Sequence, residues 1–185
     1  MTDPKITDDM LTRMGQVQSR FAATMSDAFT FAMRTNRKGV VTAWSELGSP
    51  AMLLPAARAV KQAAGRLSTI TAYQLATSQP SGVHEIAYHF DINGATLTVT
   101  VHLPENEREI DSITPIFRNA DWNEREFMEL YDLVVRGHPN PVALFIDPTI
   151  DPAVLQRFIP FSEMVNAAST KSLWEKIMAQ RGENT

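Results

Sequence analysis

A chain of 185 residues, 44% hydrophobic and 21% charged, has ordinary globular composition and is long enough to bury a core of its own. It has no cysteine, which excludes disulfides, thiol catalysis, thiolate zinc sites and cysteine-held iron–sulfur clusters within these residues. The formal net charge of −4 argues against a dedicated nucleic-acid binder.

The start, Met1-Thr2-Asp3-Pro4-Lys5, is polar, with no apolar signal-peptide core after it. No apolar run approaches the ~20 residues of a membrane span, so the expectation is a soluble chain, or one peripheral through a partner. Residues 7–34 lack proline and carry Met10, Met14, Val17, Phe21, Met25, Ala28 and Ala32 at steps of three and four, which predicts one long helix. Its methionine-rich stripe is either core or an adaptable recognition surface. Asn36-Arg37-Lys38-Gly39 reads as the stop, with basic residues at the negative helix end and a glycine free to turn. Val40 to Leu47 is β-branched and aromatic, a strand. Pro55 pushes Leu54 out of helical geometry and can itself open a helix, which Ala56 to Ala64 would continue and Gly65 close.

Next comes a meander. Leu67–Leu75 is a strand and Ser78–Gly82 a loop. His84–Ile92 alternates with Ile86, Tyr88, Phe90 and Ile92 on one face. Asn93-Gly94 is a hairpin turn, and Ala95–Leu103 alternates again with Leu97, Val99, Val101 and Leu103 facing one way. Ser112 can cap a short helical turn running to Phe117. Asp121 and Glu124 read as a capping box opening a helix that buries Phe127, Leu130, Tyr131 and Val134. Gly137-His138-Pro139 terminates that region. Pro139, Pro141, Pro148, Pro152 and Pro160 keep the segment beyond it largely irregular until a last helix near Ser172, boxed by Glu175.

The chemistry-bearing residues are few. His84 and His89 lie five apart on a strand and point to opposite faces, which is poor metal geometry. His102 sits at a strand end. No zinc-protease, nucleophile-elbow, phosphate-loop or dinucleotide motif is present. His138 is held in a rigid turn, where it can hydrogen-bond a partner or simply rest on the negative helix end. Glu124, Glu126 and Glu129 share a helix, but no cleft is apparent to make two carboxylates a catalytic pair. Arg125 and Glu129 are spaced i, i+4, which predicts a plain ion pair. Lys and Arg against Asp and Glu number 9 against 5 in residues 1–79, 4 against 12 in 80–148 and 4 against 4 in 149–185. An acidic middle can steer a basic partner, though a solvated face explains it as well. The sheet lacks the aromatic strand residues and basic character of an RNA-binding plait.

Ser112-Ile113-Thr114-Pro115-Ile116-Phe117, then Ala120-Asp121-Trp122-Asn123-Glu124-Arg125-Glu126, then Gly137-His138-Pro139 resembles the motif of the 30-kDa subunit family of respiratory complex I, the C-type subunits of NADH–quinone oxidoreductases. The preceding helix and strands also match the family order, so the resemblance covers roughly residues 50–145. The same family includes the small subunit of complex-I-like, membrane-bound NiFe hydrogenases, energy-converting and carbon-monoxide-induced. There are departures. The family acid is replaced by Glu129, and the family glycine by Asp132, which implies a continuous helix there. Val142-Ala143 stands where an arginine pair is usual, putting that subunit contact in doubt, and the family's T-D-Y-G-F tail is missing. A short, divergent chain looks more like the hydrogenase branch.

The expectation is an α+β fold: an antiparallel meander sheet with helices on one face, a long N-terminal helix and an extended C-terminal arm. Residues 1–39 would be a helical extension, 40–148 the family domain, and 149–185 the arm and last helix. The resemblance implies a cofactor-free assembly subunit with no catalytic, cofactor-binding or metal residues of its own. It would dock beside the large subunit (hydrogenase or quinone-site) and the small iron–sulfur subunit of a complex-I-like oxidoreductase, on the cytoplasmic side, and meet the inner membrane only through them. The 30-kDa subunit of a respiratory NADH–quinone oxidoreductase is the nearest alternative. A stand-alone small-molecule enzyme or binding domain using His138 and the carboxylates is the alternative of a different class. The interface and motif residues are Ser112, Thr114, Trp122, Glu124, Arg125, Glu126, Glu129, Gly137, His138 and Pro139.

Overall fold

The structure is a computed structural model that describes residues 4–26, 28–74, 84–104 and 107–145. All belong to the first of two compact units, Met1–Asp147 and Pro148–Thr185. The expected Ser78–Gly82 loop, the C-terminal arm and the helix near Ser172 lie outside the described residues.

Helix α1 spans Pro4–Met25. Its stripe of Met10, Met14, Val17, Phe21 and Met25 is buried in the common core, so it is core and not a free recognition face. The helix does not run on to residue 34 as its periodicity predicts. It stops at Ser26, which takes a left-handed φ of 53°. Phe29 then bridges Leu47, and strand β1 (Ala32–Thr35) pairs antiparallel with β2 (Val41–Leu47). The reason is tertiary. Reversing the chain puts the rings of Phe29 and Phe31 edge-on against Phe21, at 5.5 and 6.1 Å. Asn36 to Gly39 is therefore a hairpin turn, with Asn36 Oδ1 accepting from the amides of Lys38 (2.8 Å) and Val40 (3.1 Å).

Ser49 caps a 3-10 turn, Pro50–Met52, that leads directly into α2 (Leu53–Gln62). Leu54 is inside this helix, contrary to the expectation set by Pro55. In a first turn the missing proline N–H costs no hydrogen bond, and the preceding turn already delivers helical backbone.

Strands β3 (Arg66–Gln74), β4 (His84–Ile92) and β5 (Ala95–Leu103) form the expected meander. Asn93 and Gly94 both have positive φ, 53° and 88°, as their two-residue turn requires. The five-stranded sheet has the order β1-β2-β5-β4-β3, with β2 parallel to β5. Its inner face, built from Val41, Ala43, Ile70, Ile86, Tyr88, Phe90, Leu97, Val99 and Val101, is buried under the helices. The outer face is polar. There His89 lies between Thr71 and Thr98, 3.1 Å from each hydroxyl, and His102 lies 3.2 Å from Glu46. His84 is on the inner face, so the two histidines do point oppositely.

Past the sheet, β6 (Glu109–Asp111) pairs parallel with β7 (Val134–Arg136), and α3 (Asp121–Tyr131) connects them. Phe127 is buried, but Leu130 and Val134 are exposed, because the helix ends at Tyr131 and Val134 belongs to a strand. Asp132 does not continue the helix. It takes the left-handed geometry (φ 54°, ψ 43°) that caps a C-terminus, a role glycine usually fills. The edge of β3 is covered: Asn119 Nδ2 donates to the carbonyl of Leu67 (2.9 Å) and Tyr131 Oη to that of Ala72 (3.0 Å).

Candidate functional site

The two parallel strands β6 and β7 set the site. The ladder continues one bond past β6, where the Ser112 amide donates to Arg136 O (2.8 Å), and so holds Ser112 beside the start of Gly137-His138-Pro139. Ser112 Oγ accepts from the Thr114 amide (3.1 Å), and the amides of Ile116 and Phe117 close a turn on Ile113 O. That is the capped turn read from the sequence. Helix α3 then lays its first turn across these residues.

Glu124 is not the capping residue that its spacing suggests. The residue before α3, Ala120, makes no side-chain cap. Glu124 instead points inward and is fully buried. Its carboxylate accepts from Ser112 Oγ (2.5 Å), Thr114 Oγ1 (2.7 Å) and the Ile113 amide (2.7 Å). Three donors converging on one buried carboxylate are what the charge needs to survive outside water. Burial still raises the Glu124 pKa above its ordinary value, against the pull of Ser112, Thr114, the Ile113 amide and nearby His138.

His138 is the second half of the site. Its side chain is fully buried, and its Nδ1 accepts from the Asn140 amide at 3.1 Å. Its Nε2 faces Asp121 Oδ1 at 3.4 Å and Glu124 Oε2 at 3.6 Å, and is buried without a hydrogen-bond partner among the described residues. The imidazole sits at the N-terminal turn of α3, not on a negative helix end, and it is not presented to a partner. Tyr88, on the inner face of β4, completes the cluster. Its hydroxyl is buried with no hydrogen-bond partner among the described residues. Burial, then the negative charge of Glu124, raises its pKa well above the ordinary tyrosine value. The alternation of β4 turns Tyr88 inward, but its approach to Glu124 is not readable from either segment alone.

The remaining motif residues work outside the cluster. Arg125 does not pair with Glu129. It donates from Nε to Val142 O (2.7 Å) and from Nη2 to Ala143 O (3.0 Å), and lies 3.9 Å from Asp121. Glu129 accepts from the amides of Leu144 and Phe145, both at 2.8 Å. The two side chains reach past each other because backbone groups of residues 142–145 that lack other partners among the described residues hold each charge better than a single i, i+4 ion pair. Together they fasten residues 142–145 along α3. Trp122, on the same helical stripe, is 69% exposed, with Val142 at 55% and Phe145 at 61%. Glu126 is half-buried and makes no ion pair among the described residues. Gly137 has a φ of 74°, and Pro139 continues the turn after His138. Among the described residues no group of three or more His, Asp or Glu side chains is arranged to hold a metal, and no helix is long and apolar enough to cross a membrane.

A five-stranded sheet helix-covered on one face, with two motif segments stitched by a buried glutamate, defines an α+β domain of the complex I 30-kDa type. Residues 48–170 match the family described as "respiratory-chain NADH dehydrogenase, 30 Kd subunit", and the chain belongs to that family. It is similar to the NADH-quinone oxidoreductase C/D subunit of Gluconacetobacter diazotrophicus, 30% identical across 76% of this chain and 24% of that protein. The C/D subunit of Erwinia tasmaniensis is 26% identical across 80% of this chain and 25% of that protein. The C/D protein of Photorhabdus laumondii is 36% identical over a shorter stretch, 35% of this chain and 11% of the relative. The chain thus spans at most about a quarter of the length of these relatives. Among solved structures, a trypsin-resistant fragment of Nqo5 shares the fold at a TM-score of 0.53 and 20% identity, covering 69% of this chain and 98% of the fragment. A chain of the membrane-bound sulfane sulfur reductase, an archaeal respiratory membrane complex, gives 0.59 at 12% identity, covering 81% and 89%.

Proposed function

We propose that this chain is an assembly subunit of a complex-I-like, membrane-bound oxidoreductase, and that its parent complex is an energy-converting NiFe hydrogenase. The observation that carries the assembly role is the use of the motif. Ser112, Thr114, Glu124 and His138 are spent on an internal brace, while Arg125 and Glu129 pin residues 142–145. What the motif leaves outside is a surface with Trp122, Val142 and Phe145 exposed on a rigid support. Large apolar groups on a braced element suit a protein interface better than solvent. The large subunit and the small iron–sulfur subunit are the proposed neighbours, on the cytoplasmic side, and electrons pass through them because this chain has no cysteine to ligate a cluster.

The hydrogenase assignment rests on divergence, chiefly Val142-Ala143 in place of the arginine pair. The curated relatives favour a second reading, the 30-kDa subunit of an NADH–quinone oxidoreductase. Affinity purification of the tagged chain from native membranes, with mass spectrometry and elemental analysis, separates them. Nickel with a large NiFe subunit supports the first reading, NADH-module subunits support the second, and a chain recovered alone overturns both. In the same preparation, Trp122→Ala is expected to lower recovery of partners while its melting curve stays unchanged, as exposed substitutions usually do.

A further inference from the structure

The charge imbalance of the chain is not used by the motif surface. The positive excess lies in residues 1–79, and the structure shows where part of it gathers. Helices α1 and α2 pack against each other and leave a groove of about 320 Å³ between their outer faces. Arg20 and Thr24 stand on one wall, Arg58 and Gln62 on the other, with Ala23 and Ala59 leaving room between them. Among the described residues no acidic side chain lines it. None occurs in α2 or in residues 15–25 of α1. Arg20 Nη1 donates to Gln62 Oε1 (2.5 Å), which ties the two walls together. Arg58 has no ion pair or hydrogen bond among the described residues. Two guanidiniums and a hydroxyl therefore line one groove with no carboxylate beside them among the described residues.

We propose that this groove seats an acidic segment of a partner polypeptide, whose Asp or Glu carboxylates pair with Arg20 and Arg58. A guanidinium offers a planar fork that matches a carboxylate. Both arginines are exposed, so a free small anion would compete with water and salt, whereas a covering polypeptide removes solvent around both pairs and strengthens them. The identity of the partner as a neighbouring subunit rests on the assembly reading above; the preference for carboxylates is read on this chain alone.

The test uses the purified full chain and a fluorescein-labelled hexaglutamate peptide, with hexaglutamine as control, monitored by fluorescence anisotropy. Saturable binding of hexaglutamate alone is expected, weakening as salt rises from about 50 to 300 mM. Arg20→Gln with Arg58→Gln is expected to weaken it by about tenfold or more. Ala23→Trp, which fills the groove and leaves both arginines in place, is expected to do the same with an unchanged melting curve. Absence of saturable binding, or equal affinity in both variants, overturns the proposal. So does arginine-dependent sedimentation with phosphatidylglycerol vesicles where the peptide does not bind, which would make the groove a lipid contact. Because the assay needs no partner subunit, its failure leaves the assembly reading standing, and failure of co-purification leaves the groove standing.

Discussion

Glu124 shows how a single buried residue can hold the segments of a motif together. Its carboxylate accepts three hydrogen bonds in full burial, so truncation would orphan all three donors at once. Glu124→Ala is expected to cost about 3–5 kcal/mol in denaturant melts, since each buried donor left unsatisfied costs about 1–3 kcal/mol. Glu124→Gln keeps an acceptor for the Ile113 amide and is expected to cost less. It also isolates a pH effect. The folded-state pKa of Glu124 is raised, so in that window the native state holds more protons than the unfolded chain, and stability falls as pH rises. The wild type is therefore expected to lose stability relative to Glu124→Gln as pH climbs from the ordinary glutamate range through the raised value, with the two curves parallel below it. A flat difference between them would show that Glu124 keeps an ordinary pKa. Tyr88 is the opposite case. Its buried hydroxyl has no partner among the described residues, so Tyr88→Phe removes a desolvated dipole without orphaning anything. That variant is expected to melt at or slightly above the wild-type temperature, whereas a loss of more than about 1 kcal/mol would mean the hydroxyl is satisfied.

Among the elements, α3 does three jobs. Phe127 enters the core, Glu124 enters the polar cluster, and Arg125 and Glu129 hold residues 142–145 by their backbone. Side chains that read backbone groups impose position without regard to sequence, so the pinned segment can vary while its path stays fixed. Native-state hydrogen exchange can isolate this contact. Glu129→Ala is expected to accelerate exchange at the Leu144 and Phe145 amides and leave the β4 and β5 amides protected, since the segment opens locally while the sheet opens only globally. Arg125→Ala is expected to release the same two amides through the loss of the Val142 and Ala143 anchors. Uniform acceleration across the sheet would show that the clamp is part of global stability.

At the scale of the whole molecule, α1 belongs to the same core as the sheet. Met14, Val17 and Phe21 are fully buried, Thr7 Oγ1 donates to Gly39 O (3.1 Å), and β1 supplies an edge strand. A helical extension ending at Asn36 to Gly39 would be removable from an intact domain. The packing points the other way. Deletion of residues 1–38 is expected to abolish cooperative thermal unfolding and the near-ultraviolet dichroism of the fixed aromatic rings, and Phe21→Ala alone to cost about 3–5 kcal/mol. A truncated chain that still melts cooperatively would restore the separable helix.

What the sequence determined by itself are the features set by local period and turn chemistry. The β3–β4–β5 meander, the Asn93-Gly94 turn, the capped turn after Ser112 and the buried face of β4 all come from alternation or from a residue's own backbone preference. The motif segments were legible too, and with them the family. Tertiary structure alone decided three things. The helical stripe of α1 ended early because Phe29 and Phe31 gain more by closing on Phe21 than by continuing a helix. Glu124 turned from cap to buried acceptor because residues of a neighbouring segment, Ser112 to Thr114, bring donors that no spacing within α3 reveals. Arg125 and Glu129 exchanged each other for the backbone of residues 142–145, because a charge chooses its partner in space, and i, i+4 spacing gives only the partners on its own helix.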